Sequence, residues 1–183
     1  ALMADGVPAA EVYTVLATPE GVDRAFKKLD SIKNDVIWWE AGAQPPQLLA
    51  DGEVTMAYAF NGRIFNAAIA DKKPFKISWD GQIYEMEGWV IPKGAPNLEN
   101  AVKFVAFSTA PEPQARAAEF ISYGPPRKSA AALVGNMEGT EDPMGPHLPT
   151  TAENMTNALG SNLDFWVDHD SELNERFNAW LAS

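Results

Sequence analysis

Apolar residues first recur at helical spacing behind Thr18-Pro19-Glu20. Val22, Ala25, Phe26, Leu29 and Ile32 fall three or four positions apart. This predicts a helix with Thr18 as N-cap and Pro19 at its first position. Before it, Ala1–Gly6 reads either as the last turn of a helix stopped by Gly6 or as a short frayed first turn. Asp35–Trp39 reads as a short strand, and Gln47–Ala50 as a short helix stopped near Asp51-Gly52. Val54–Ala59 reads as a buried strand. Asn61-Gly62 breaks it and opens a helix over Arg63–Ala70, with Asn61 as N-cap. Pro74–Trp79 and Tyr84–Ile91 are further strands, the latter the longest.

The second half reads mostly helical. Asn97 caps a helix carrying Leu98, Ala101, Val102 and Val105. Thr109-Ala110-Pro111-Glu112 has the form of a capping box, with a helix running on to Phe120. Tyr123-Gly124-Pro125-Pro126 ends it. Residues 135–149 are rich in Gly and Pro and read as a loop or linker. Thr150-Thr151-Ala152-Glu153 is a second capping-box pattern. A last helix places Trp166, His169, Leu173, Phe177 and Trp180 on one face, a stripe suited to core packing. Strands and helices alternate without an internal repeat, which predicts an α/β fold with strands in more than one sheet.

Composition narrows the function. With 14 basic and 25 acidic residues the net charge is −11, which argues against non-specific binding to nucleic acid or anionic membranes. The chain has no Cys, which removes disulfides, thiolate metal sites and cysteine nucleophiles. No apolar run approaches the roughly 18 residues of a membrane helix. No basic start leads into an apolar run, so any signal peptide is expected to have been removed or to lie outside this sequence.

Catalytic patterns are sparse. There is no G-x-S-x-G, no P-loop and no G-x-G-x-x-G. Asp168-His169-Asp170 looks metal-like as text, but adjacent helical residues point apart, so one ion cannot easily use all three. Glu85 and Glu87 are more informative. On a strand they share a face, with Cα atoms about 6.5–7 Å apart. Paired carboxylates attract a cation or raise a pKa for acid/base work. One strand supplies poorly the two opposed carboxyls that a glycosidase needs. A cationic ligand fits better, with Tyr84, Trp89, Phe60 and Tyr123 as aromatic faces; a solvent-facing strand edge is the plainer alternative. Asn61-Gly62-Arg63 stands where a strand feeds a helix start. Backbone amides and a guanidinium there suit a carboxylate or phosphate, and ordinary capping beside a surface Arg accounts for the same residues.

The order of short motifs carries a resemblance. Leu48-Leu49-Ala50-Asp51-Gly52-Glu53-Val54 followed by Phe60-Asn61-Gly62, and Tyr84-Glu85-Met86-Glu87-Gly88-Trp89-Val90-Ile91-Pro92-Lys93-Gly94-Ala95, are two of its pieces. Asn97–Ala101, Ile121–Pro125 and Asn174–Leu181 are the others. Together they resemble, over nearly the whole chain, ABC-transporter solute-binding proteins of the spermidine/putrescine type.

The resemblance implies a type II periplasmic-binding-protein-like α/β fold. In that fold two lobes joined by crossing strands close on a solute. It implies a chain of which only part stands here: residues 1–83 as most of lobe 2, 84–132 as the crossing strand and a lobe 1 segment, and 133–183 as linker and lobe 2 helices. It further implies a periplasmic, non-catalytic protein without cofactor or metal. Such a protein passes a small linear amine, a polyamine or γ-aminobutyrate, to the membrane permease of an ABC transporter. On this pattern Glu87 pairs with a ligand amine, while Phe60 and Tyr123 are aromatic ligand contacts. Glu85 stands where polyamine binders often carry an aromatic. Asn61 is expected among the ligand-binding residues, and Arg63 beside it stands where polyamine binders carry a small residue, which suits a ligand bearing a carboxylate as well as an amine. Gly42 or Gln44 is expected to line the cleft. A carbohydrate-active enzyme using Glu85 and Glu87, and a stable fragment without ligand function, are the competing expectations; the part-chain is also expected to self-associate through uncovered helix faces.

Overall fold

Thr18 joins the first two helices. Its hydroxyl donates to the Val15 carbonyl at 2.8 Å, at the end of α1 (Val12–Leu16). The same oxygen accepts from the Gly21 amide at 3.0 Å, in the first turn of α2 (Pro19–Asp30). The N-cap and the Pro19 start therefore stand as the sequence predicts. The computed structural model describes residues 1–183, and these group into two units.

The first unit comprises Ala1–Ile37, Ile83–Glu85 and Leu159–Ser183. Its core is Leu2, Val7, Val12, Ala25 and Leu159, with Met3, Ala9, Tyr13, Val15 and Leu16 packed on it. Each such aliphatic side chain contributes roughly 1.5–3 kcal/mol when fully buried. Ala1–Gly6 forms a 3₁₀ turn over Met3–Asp5, ended by Gly6 at φ 85°, a left-handed position that favours glycine. A parallel pair links β1 (Ile83–Tyr84) to β2 (Leu159–Gly160), in register Ile83 with Leu159 and Tyr84 with Gly160.

The last helix, α8 (Leu163–Ala182), is capped by Asn162, whose side chain accepts from the Phe165 amide at 3.0 Å. Its expected stripe of Trp166, His169, Leu173, Phe177 and Trp180 is half-buried. Phe165, outside that list, is the buried residue and packs on Tyr13 with ring centres 5.1 Å apart. Lower on the helix, Trp180 meets Phe26 at 6.0 Å, and the Arg176 guanidinium lies 4.4 Å from the centre of the Phe26 ring while pairing with Asp23 at 2.6 Å. His169 stacks on Phe165 at 4.5 Å, and its neighbours Asp168 and Asp170 are exposed.

The second unit comprises Trp38–Gln82 and Met86–Ala158. It groups residues 38–82 with 86–158, across the boundary that the resemblance places near 83. Its helices are α3 (Gln44–Ala50), α4 (Asn61–Ile69), α5 (Leu98–Ser108), α6 (Pro111–Phe120) and α7 (Lys128–Ala131). The core is Phe65, Ala118, Met137, Met144 and Leu148, with Val134 against it. Three of these lie within 135–149, so the stretch read as a loop or linker is a loop, and its apolar residues enter the core. Glycine and proline there shape the backbone while the apolar residues between them are buried. Gln82 ties this segment down, donating to the carbonyls of Pro149 at 2.9 Å and Asn154 at 2.7 Å.

The expected strands are largely absent. Residues 35–39, 54–59 and 74–79 form none, and of 84–91 only Tyr84 belongs to one. A strand exists by its ladder, and apolar alternation names only the face that seeks cover. In these runs Met56, Tyr58, Trp89 and Val90 stay exposed. The capping boxes also fail to form. Thr109 turns its hydroxyl back to the Val105 carbonyl, and α6 starts on Pro111 without a side-chain cap. Thr151 does accept from the Asn154 amide at 3.3 Å, but only a turn follows. Asn97 precedes α5 without a side-chain cap bond. No helix is long and apolar enough to cross a membrane.

Candidate functional site

The start of α4 gathers most of the predicted ligand residues within the second unit. Phe60 is the N-cap residue, in extended conformation, and its carbonyl accepts from the Arg63 and Ile64 amides at 3.0 and 3.4 Å. Asn61 is therefore the first helical residue rather than the cap. Its side-chain amide instead donates to the Ser122 carbonyl at 2.5 Å, and lies 3.3 Å from the Ser122 hydroxyl. The side chain is committed to a long-range acceptor in place of the local amide donor that capping would have supplied.

Tyr123 follows Ser122 and brings its ring to the same turn. A Cβ at Gly62 would stand 3.1 Å from Tyr123 Cε1 and from its hydroxyl, so glycine makes the approach possible. Phe60 is packed from the other side. The Trp39 ring meets it edge-on at 5.9 Å, and the Trp39 indole N–H donates to the Tyr58 carbonyl at 2.9 Å. Gly42 lies under the Phe60 ring, where a Cβ would meet Phe60 Cδ2 at 3.0 Å. Of the two residues expected to line the cleft, Gly42 touches this cluster. Gln44 uses its amide oxygen on the Glu40 and Ala41 amides, at 2.8 and 2.7 Å.

Phe60 and Tyr123 remain 60% and 47% exposed, so their ring faces are open to a ligand. Arg63, two residues into the helix, is exposed and bound to no carboxylate. The first amides of a helix have no intrahelical acceptor, and the positive end of the helix dipole adds to the guanidinium. This turn thus offers two aromatic faces beside a cationic corner.

The two glutamates are parted. Strand β1 stops at Tyr84, so no strand places Glu85 and Glu87 on a common face. Glu85 belongs to the first unit and Glu87 to the second, and both are exposed. The segment bearing Glu87 is held by Trp89, which packs edge-on against Phe104 of α5 at 5.0 Å. Of the other two rings considered as ligand faces, Trp89 stays as exposed as Phe60, while Tyr84 lies against Gly160, whose Cβ position is 2.8 Å from the tyrosine hydroxyl. His147 packs on Phe65 at 5.2 Å. No group of three or more His, Asp or Glu side chains gathers in a way that would hold a metal ion.

Sequence reading missed Trp39 and Ser122 as parts of this cluster. Nothing local marks Ser122, the only buried polar residue.

Residues 1–149 match the family model described as bacterial extracellular solute-binding protein. The γ-aminobutyric acid-binding protein of Pseudomonas aeruginosa is 48% identical over 184 aligned residues, covering 100% of this chain and 50% of that protein. An ABC transporter substrate-binding protein from Bradyrhizobium japonicum has a similar structure (TM-score 0.79, 34% identity), covering 98% of this chain and 53% of its own. A GABA receptor is also similar, with TM-score 0.72 and 32% identity over 98% of this chain and 52% of its own. The chain thus spans about half the length of the relatives it matches. Over that half it has the α/β architecture of type II periplasmic binding proteins.

Proposed function

Because the chain belongs to the bacterial extracellular solute-binding protein family, we propose that it serves as the solute-capturing component of an ABC importer, with a short amino acid bearing a distal amine as its ligand. γ-Aminobutyrate is the representative ligand. It acts in the periplasm, without chemistry on the solute, and hands it to a membrane permease.

The observation that carries this reading is Arg63. An unpaired guanidinium in the first turn of α4, the turn that follows Phe60 and that Tyr123 meets at Gly62, suits a carboxylate followed by a methylene chain. Glu87 is the partner proposed for the amine. The relative that binds γ-aminobutyric acid supports an amine-bearing ligand. Putrescine and spermidine, the ligands first suggested by resemblance, carry no anion, and Arg63 would repel their ammonium groups. The enzymatic alternative has less support, since the relatives are binding proteins and β1 ends before Glu85.

Calorimetric titration of γ-aminobutyrate, putrescine and spermidine into the full-length protein tests the proposal. γ-Aminobutyrate is expected to bind most tightly and to return unchanged after release. Preference for putrescine would overturn the carboxylate reading. Conversion of any of the three would overturn the binding-protein reading.

A further inference from the structure

Two contacts between consecutive pairs of residues meet at the start of α4: Asn61 to Ser122, and Gly62 to Tyr123. Ser122 is fully buried and follows the end of α6, so its carbonyl has left the helical ladder. The turn around it is closed by the Tyr123 amide donating to the Ile121 carbonyl at 2.8 Å. The Asn61 amide then supplies a donor to the Ser122 carbonyl at 2.5 Å. A buried carbonyl deprived of its only side-chain donor is left desolvated without return, so this bond resists breaking. One residue on, the Tyr123 ring comes to Gly62, where only a missing side chain leaves room.

These two contacts determine where Tyr123 points. A tyrosine nearly half exposed would otherwise sample several rotamers and lose that freedom when a ligand arrives. Pinning the Ser122 peptide fixes the backbone from which the ring projects, and Gly62 receives the ring edge. We infer that Asn61 is a positioning residue for ligand capture, acting on the solute through Tyr123, and that Gly62 is its required counterpart. The inference rests on the proposed function. It reassigns Asn61 from ligand contact to support, because its amide donor is committed to Ser122. It also explains how Arg63, two positions on, stays free: the polar side chain next to Gly62 is turned away to the 120s segment.

A double-mutant cycle separates this from a merely structural role. γ-Aminobutyrate affinity is measured by calorimetry in full-length protein for wild type, Asn61→Ala, Tyr123→Ala and the pair, with thermal midpoints recorded alongside. Asn61→Ala is expected to weaken binding about tenfold, the effect of one well-placed hydrogen bond. In the Tyr123→Ala background the same change is expected to weaken it less than about twofold. Equal losses in both backgrounds, or an unchanged affinity in Asn61→Ala, would overturn the inference while leaving the proposed function intact. Wild type that binds neither γ-aminobutyrate nor putrescine would overturn the proposed function, and this inference with it. Gly62→Ala covers the case in which Asn61→Ala does not fold. It keeps the Asn61–Ser122 bond, shifts the ring by a few tenths of an ångström, and is expected to weaken binding only when Tyr123 is present.

Discussion

Gly21 packs against the end of α1 so closely that a Cβ on it would stand 1.8 Å from the Val15 carbonyl oxygen. The obstacle is backbone, and that carbonyl is already held by the Thr18 hydroxyl at 2.8 Å. Gly21→Ala therefore sets a helix-propensity gain of about 0.8–1 kcal/mol against a clash that neither helix can relieve by a rotamer change. The clash wins, with a net destabilisation of about 1–3 kcal/mol. The thermal midpoint should fall by about 2–4 °C for each kcal/mol. A midpoint at or above the parent's would show that α1 and α2 can move apart.

Arg63 and Glu87 should divide the ligand between them. Arg63→Ala is expected to weaken γ-aminobutyrate binding by about 1.5–3 kcal/mol, a charged hydrogen bond, and to leave putrescine unaffected or improved. Glu87→Gln is expected to weaken both ligands by a similar amount, since both carry an ammonium group. Calorimetry on the full-length protein reads each case. An unchanged affinity in Glu87→Gln removes that carboxylate from the site.

Residues 1–183 alone should hold γ-aminobutyrate weakly. Phe60, Tyr123, Arg63 and Glu87 are all exposed, and a solvated ion pair contributes only about 0–1 kcal/mol. Sub-micromolar binding by a monomer of these residues would show that the site needs no further desolvation.

Helix α5 predicts association of the isolated chain. It buries none of its residues, and Leu98, Val102, Phe104 and Phe107 are each more than half exposed. An apolar face of this kind drives contact with a like surface. Sedimentation should show self-association that Val102→Lys with Phe107→Lys suppresses without lowering the thermal midpoint. A monomer at high concentration before substitution would contradict this.

Asp5 gives the first unit an acid-sensitive contact. Its carboxylate accepts from Arg24 Nε at 2.6 Å, and its backbone carbonyl accepts from Arg24 Nη2 at 2.8 Å. The Arg24 hydrogen bond holds the Asp5 carboxyl below its ordinary value of 3.8. The folded value lies below the unfolded one, so the stabilisation is complete above the unfolded value and disappears as pH falls through the folded one. Carboxyl NMR titration should show Asp5 returning to the ordinary range in Arg24→Gln. Denaturant unfolding followed downward from about pH 5 should lose less stability in that variant than in the parent.

Local signals were the legible ones. Thr18 accepts from an amide three residues on, Pro19 opens the same helix, and that helix stands where periodicity puts it. Pairing is non-local, so the alternation in 54–59 identifies a face and says nothing of a neighbour to bond it. The Gly- and Pro-rich run at 135–149 reveals its loop and hides its burial for a related reason. Those residues report backbone geometry, while burial of Met137, Met144 and Leu148 depends on Phe65 and Ala118 far upstream. At the candidate site Phe60 and Tyr123 were visible as aromatics next to turn residues. The bond that relates them, Asn61 to Ser122, joins positions 61 residues apart and has no local trace.

The first unit is drawn from three separated stretches of chain, with Leu159 entering the same core as Leu2, Val7 and Val12. That arrangement imposes an order on synthesis. A ribosome releases every residue of the second unit, which ends at Ala158, before it delivers β2 and α8. The second unit can therefore close while the chain is still growing. The α1–α2 pair must wait for its last apolar partners, with a long loop to close when they arrive. Nascent chains halted before Leu159 would lack the residue that packs among Leu2, Val7 and Val12.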